Sequence, residues 1–224
     1  MSSFSVVRGN RMRITRVDEC GVPITEEGNS VVTDGFVSVE YSANIEEAEE
    51  VLLKNAAGQI CVLDTTCPEL KWYELEMEFC RVDPDLLNIM TGNEVVVDGA
   101  DESVGISIGT QVSCPEGFAL EVWTGIAGTD GCGEGGVRPY GYFLIPWVTN
   151  AIIGDFSIEN DAITLQVSAR SDNGHDWGVG PYDVVMDGET PSEESPLLTP
   201  LDPDVHLHLQ KTTMAPPELT DGAE

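Results

Sequence analysis

At 224 residues with 41% hydrophobic content, the chain is long enough to bury a substantial core, and an all-β sandwich or barrel of this size is commonly a single domain. Its 40 acidic residues against 10 basic ones give a formal net charge of −30, so most of the surface repels nucleic acid, whose phosphates demand clustered Lys and Arg. No run of about 18 apolar residues occurs, and Met1 to Arg8 lacks the basic-then-apolar order of a secretory signal, which predicts a soluble chain without a membrane anchor that is not exported by that route.

The charge is unevenly placed. Arg8, Arg11, Arg13 and Arg16 all precede the first acid, Asp18, so the leading segment is +4 and the remainder −34. Two readings follow: a solubilising acidic surface with a loose basic arm, or complementarity between copies, the arm of one meeting the body of the next. Within that segment Met12, Ile14 and Val17 interleave with the arginines, which predicts a strand at a sheet edge, where charge deters unwanted pairing. Phe36 to Tyr41 predicts a second strand, with Val37, Val39 and Tyr41 on one face and Ser38 and Glu40 on the other. Glu46 to Leu53 carries helix-favouring acids, but Val51 to Lys54 and Ile60 to Leu63 flank the turn residues Asn55 to Gly58, and the hairpin reading is preferred.

Leu70 to Cys80 has the cleanest alternation in the chain. Tyr73, Leu75, Met77 and Phe79 face one way; Glu74, Glu76 and Glu78 face the other and must meet water or a wet cavity, since an unpartnered carboxylate is too costly to bury. Asp83-Pro84-Asp85 through Gly92 predicts one short helix, with an Asp N-cap, Pro in the first turn and Gly as the stop. Glu94 to Val97 and Val104 to Ile108 form another predicted hairpin, Phe118, Leu120 and Val122 mark a strand, and Gly125 to Gly136 is a glycine-rich loop. The stretch from Tyr140 to Val185 organises the rest. Around Asn160-Asp161 it alternates apolar and polar residues on both sides, which predicts a hairpin with one wet and one dry face. A Pro- and acid-rich segment then leads to a short strand at Val205 to Gln210, with extended or disordered chain from Thr212. The expected organisation is a basic N-terminal segment and edge strand (1–17), a β-domain (18–185), a C-terminal arm with a short strand (186–213) and a disordered tail (214–224).

No constellation predicts catalysis, a metal or a cofactor. Gly131-Cys-Gly133-Glu-Gly-Gly136 spells a dinucleotide fingerprint, but Arg138-Pro139 and an aromatic strand follow where a helix N-terminus is required. His206 and His208 fall on one strand face, for which a wet surface outweighs a shared metal, and His175 beside Asp176 reads as a turn-capping residue before an acid–base pair. Cys20, Cys61, Cys67, Cys80, Cys114 and Cys132 are scattered without a Cys-x-x-Cys pair, which predicts reduced thiols and no zinc site. Trp72, Trp123, Trp147 and Trp177, with Tyr140, Tyr142 and Tyr182, read as core residues before sugar-stacking ones.

An ordered set of short motifs spans roughly residues 10 to 217. Asp18-Glu-Cys-Gly21, Phe36-Val-Ser-Val39, Lys54-Asn55 with Gly58-Gln-Ile-Cys-Val62, Cys67-Pro-Glu-Leu70 and Glu78-Phe-Cys80 with Val82-Asp-Pro-Asp85 come first. Gly117-Phe-Ala-Leu-Glu-Val-Trp-Thr-Gly125, Tyr140 to Trp147, Gly154-Asp-Phe156, Trp177-Gly-Val-Gly-Pro-Tyr-Asp183 and Leu197-Leu-Thr-Pro200 follow. In order and spacing the chain resembles the major tail proteins of long-tailed phages that infect actinobacteria. The resemblance implies an all-β fold, a tail-tube-type β-sandwich or barrel with one short flanking helix and extended terminal arms. It also implies hexameric rings stacked into a hollow tube of the virion, other tail proteins at the tube ends, and DNA passing without specific binding. Glu74, Glu76 and Glu78 are then the candidate lumen residues, and Arg8, Arg11, Arg13 and Arg16 the candidate inter-subunit residues. A tail terminator or head-tail connector ring, or a sugar-binding β-sandwich of the virion, are the alternatives.

Overall fold

Alternation with a two-residue period dominates the chain, and the computed structural model turns it into fourteen strands and one α-helix among the residues it describes: 4–100, 102–109, 117–127, 138–156, 163–188 and 192–220. In chain order these are β1 (Val6–Arg16), β2 (Ser30–Thr33), β3 (Phe36–Glu46), β4 (Glu50–Lys54), β5 (Ile60–Thr65), β6 (Glu69–Phe79) and α1 (Pro84–Thr91). There follow β7 (Glu94–Val97), β8 (Ser103–Ser107), β9 (Phe118–Ile126), β10 (Tyr140–Ile153), β11 (Leu165–Ser171), β12 (Val185–Met186), β13 (Glu194–Ser195) and β14 (His208–Thr212). The protein is all-β, with antiparallel pairing throughout its ladders.

The main sheet runs β2-β1-β9-β10-β11-β6-β3, with β14 added on β10. β10 organises it. Along one edge Tyr140 to Ile145 and then Val148 pair with β9; along the other, Tyr140 to Leu144 pair with β14 and Val148 to Ile153 with β11. The register breaks between Ile145 and Val148, where Pro146 has no N–H to offer the ladder, and there one edge passes from β14 to β11.

The sheet curls around one core. Met12 and Ile14 of β1, Phe118, Leu120 and Val122 of β9, and Leu75, Met77 and Phe79 of β6 all join the same buried cluster, although β1 and β6 stand far apart in strand order. Tyr41 of β3 stacks on Phe143 of β10 with ring centroids 6.4 Å apart. α1 closes this core with Leu86, Leu87, Ile89 and Met90. Its Asp83 carboxylate accepts from the amides of Asp85 and Leu86, and Gly92 ends it at φ 68°. Eight residues are too few to hold a helix in water, so burial of those four side chains, each worth about 1.5–3 kcal/mol, supplies most of its stability.

A second cluster lies on the opposite side of β9 and β10, where Ala119, Trp123, Tyr142 and Leu144 are covered by Trp177, Val184, Val185 and Leu197. Most of this cover comes from the end of the expected β-domain; within the segment expected to be an arm, Leu197 joins the cluster and Leu201 packs against it, Leu197 donating its amide to Val179 O and Leu201 to Gly178 O. The tail is tied as well. Thr212 is buried, and Thr220 donates its amide to Val32 O while its hydroxyl accepts from Val32 N, occupying the open edge of β2.

Three further expectations are corrected. β1 lies inside the sheet between β2 and β9, not at an edge, because β2 pairs along one side and β9, remote in sequence, along the other. Val37 does not join Val39 and Tyr41: the register slips between Phe36 and Ser38, so Phe36 turns to the core and Val37 is left 54% exposed. The strand before Asn160-Asp161 ends at Ile153, with Phe156 exposed beyond it, and the tight turn itself lies outside the described residues. Its partner, β11, pairs back on β10 as a hairpin would.

Candidate functional site

β6 presents the acidic row as its alternation predicts: Leu75, Met77 and Phe79 are buried while Glu74 and Glu76 are exposed and Glu78 half-buried. Its neighbours decide what surrounds the row. Glu76 stands directly opposite Glu40 of β3, and like charges so placed destabilise the sheet. Gln166 donates to Glu76 and Ser38 to Glu78, each at 3.3 Å. Glu74 stands opposite Arg170, whose guanidinium also lies over the Trp72 ring, 5.5 Å from its centroid. The outcome is a wet, two-strand face with Glu40, Glu74, Glu76 and Glu78 together and one cation at its margin.

The four N-terminal arginines are dispersed. Arg11 pairs with Asp34 at 3.4 Å, and Arg16 donates to the Asn88 side chain on α1 at 2.9 Å. Arg13 faces the second cluster and is 6% exposed, so it is a core residue of its own chain and not part of an arm. Only Arg8 projects freely into solvent, at φ 50° on an irregular stretch of β1.

Arg13 has a partner that the sequence reading overlooked. Glu121 is 0% exposed and accepts from Arg13 Nε at 2.5 Å, Arg13 Nη2 at 2.6 Å and the Tyr142 hydroxyl at 2.6 Å. The guanidinium lies 3.6 Å from the Tyr182 ring centroid and 5.2 Å from that of Trp123. Burial, reinforced by the Glu121 carboxylate, pushes the Tyr142 phenol well above its ordinary range, so it stays a donor. A forked, hydrogen-bonded pair of this kind is how a buried charge is tolerated. The signal was in β9: Glu121 sits between Ala119 and Trp123 on the face opposite Phe118, Leu120 and Val122, and both faces are buried.

The histidines are structural in their contacts. His175 accepts from Trp177 N on Nδ1 at 3.2 Å and donates from Nε2 to Val205 O at 3.1 Å, so it pins a turn in its neutral form. Burial lowers its pKa accordingly. Ser171 Oγ accepts from Tyr73 N and shares a hydrogen bond with His206 Nδ1 at 2.9 Å; at 1% exposure Ser171 is not offered to a substrate. His208 turns to the edge of the Tyr142 ring. Among the described residues no three His, Cys, Asp or Glu side chains converge as a metal site. Cys20, Cys61, Cys67 and Cys80 are free and exposed; Cys114, Cys132 and the glycine string 131–136 lie outside the described residues. Trp123, Tyr142 and Trp177 are buried, as core residues should be.

Besides the short β12–β13 pair, two hairpins form sheets of their own outside the main sheet. β4 and β5 pair only with each other, as do β7 and β8. Val51, Leu52, Leu53, Ile60, Val62 and Leu63 of the first are all exposed, on both of its faces. An apolar ribbon left uncovered in this way is what an intermolecular contact uses. No helix among the described residues is long and apolar enough to cross a membrane. No protein-family model matches the chain, and no curated protein matches its sequence.

Proposed function

We propose that this chain is the tail-tube subunit of a long-tailed phage, a structural protein that assembles through copies of itself into stacked hexameric rings. The observation that carries the reading is the acidic face on β3 and β6, where Glu40 opposes Glu76 between Glu74 and Glu78 at a cost in sheet stability. A ring that turns this face to its bore lines the bore with carboxylates. Polyanionic DNA is repelled by such a wall and slides without adhering. The uncovered β4–β5 ribbon supports association, and the resemblance of the ordered sequence motifs to major tail proteins supports the particular assembly.

In this reading the finer architecture is a tail-tube-type β-sandwich, its location is the virion, and other tail proteins meet it at the tube ends. Electron microscopy of the purified protein tests the proposal. Long hollow tubes are expected; isolated rings would favour a tail terminator or head-tail connector, and a protein that stays monomeric at high concentration would end both readings.

A further inference from the structure

The cations of so acidic a chain are few, and most are spent internally. Arg11, Arg13, Lys71 and Arg81 sit in ion pairs, Arg16 serves Asn88, and Arg170 covers Trp72. Arg8, Arg138, Lys54 and Lys211 form no ion pair among the described residues, and of these Arg8 and Arg138 line one pocket of about 300 Å³, walled by Val7, Asn10, Ile126 and Tyr140.

The backbone builds this convergence. Val7 pairs with Gly125 and Gly9 with Thr124, which leaves Arg8 with no partner across the ladder; the register slips again before Arg11. Arg8 takes φ 50°, a left-handed conformation that costs a side-chain-bearing residue on the order of 1 kcal/mol. Bulges of this kind re-aim a side chain, and here the Arg8 side chain is left exposed. Val6 and Val7 beside it are 41% and 43% exposed, so the pocket's rim is apolar as well as cationic.

We propose that this pocket receives the β4–β5 hairpin of a second copy. The occupant must bring carboxylates adjacent to aliphatic side chains. The hairpin does so: Glu49 and Glu50 directly precede the exposed Val51, Leu52 and Leu53, and Asp64 follows the exposed Leu63 on the partner strand. Pocket and hairpin are different surfaces of one chain, so the contact is head-to-tail, the kind that closes into rings or propagates along an axis. The inference rests on the tail-tube reading and assigns it an assembly contact.

Charge reversal on the full chain tests it. Sedimentation velocity across a concentration series, with circular dichroism as the check on folding, is run for wild type, Arg8→Glu with Arg138→Glu, Glu49→Arg with Glu50→Arg, and the four changes combined. Each double variant should stay folded and raise the concentration needed for assembly by about tenfold or more, a loss that added salt mimics in wild type, while the combined variant recovers most of it. If wild type assembles and the Arg8/Arg138 variant assembles equally well, this contact is wrong while the tube reading stands. If the combined variant is no better than the doubles, the pocket does not face the hairpin. A wild-type chain that never assembles overturns both. Should a double variant fail to fold, Arg8→Ala with Arg138→Ala takes its place, and unchanged assembly there is equally fatal.

Discussion

Arg13 and Glu121 show how little a residue's type says about its place. Read along the chain, Arg13 is one of four similar arginines; in the fold it is locked between Glu121, Tyr182 and Trp123. Reversing all four arginines together to probe assembly would set a carboxylate against buried Glu121 through Arg13 and so confound assembly with unfolding, whereas the exposed Arg8 can be reversed without touching that pair. Arg13→Ala is expected to cost about 3–5 kcal/mol in chemical denaturation, since it strands a buried charge. Arg13→Met with Glu121→Leu removes both charges together and should recover most of that loss. Equal destabilisation by the single and double variants would show that packing, and not the orphaned carboxylate, sets the cost. His175 carries a pH dependence of defined sign. Its folded pKa lies below the ordinary 6.5, because burial disfavours the charged ring, so the folded chain refuses a proton that the unfolded chain accepts. Stability is unaffected above about pH 6.5 and falls as pH drops from there toward the folded pKa, by up to about 1.4 kcal/mol per pH unit for one proton. Urea unfolding at pH 7.5 and 5.5 should show a larger acid loss for wild type than for His175→Gln; equal losses would remove His175 as a cause.

At the scale of elements, patterns that depend on near neighbours were legible. The alternation of β6, the Asp83 cap and Gly92 stop of α1, and the turns at Asn55 and Asp98 all appear where the sequence predicts them, because each is decided by contacts within a few residues. What failed was the relation between elements. β1 looks like an edge strand because charge alternates along it, yet β2 and β9 flank it and Glu121 of β9 neutralises its most buried arginine. The slip at Val37 was invisible for the same reason: it arises from β3 matching β6, 40 residues away in the case of Ser38 and Glu78. The two faces of β3 make a direct test. Phe36→Ala should cost about 2 kcal/mol, less than a fully buried ring because Phe36 is only half-buried, whereas Val37→Ala should stay within about 0.5 kcal/mol. Thermal unfolding that ranked them the other way would contradict the register.

For the whole molecule, the distribution of charge matters more than its total. Carboxylates gather on the β3–β6 face, while the two uncommitted arginines of the β1–β10 end share a pocket. If that face lines a bore, changing Glu74, Glu76 and Glu78 to Lys should slow genome ejection from otherwise intact particles by converting repulsion into adhesion. Unchanged ejection kinetics would place the row elsewhere. By itself the sequence determined an all-β chain, the helix and its caps, the hairpins and the acidic row, since periodicity and local turn chemistry act over a handful of residues. Only the tertiary structure decided that β1 is interior, that Arg13 meets Glu121, and that Leu197 of the C-terminal segment joins Trp177, Val184 and Val185 in the cluster around Trp123 and Tyr142. Those outcomes depend on which strands pair and which faces meet, and such long-range contacts are selected by the shape and charge of surfaces assembled from distant parts of the chain.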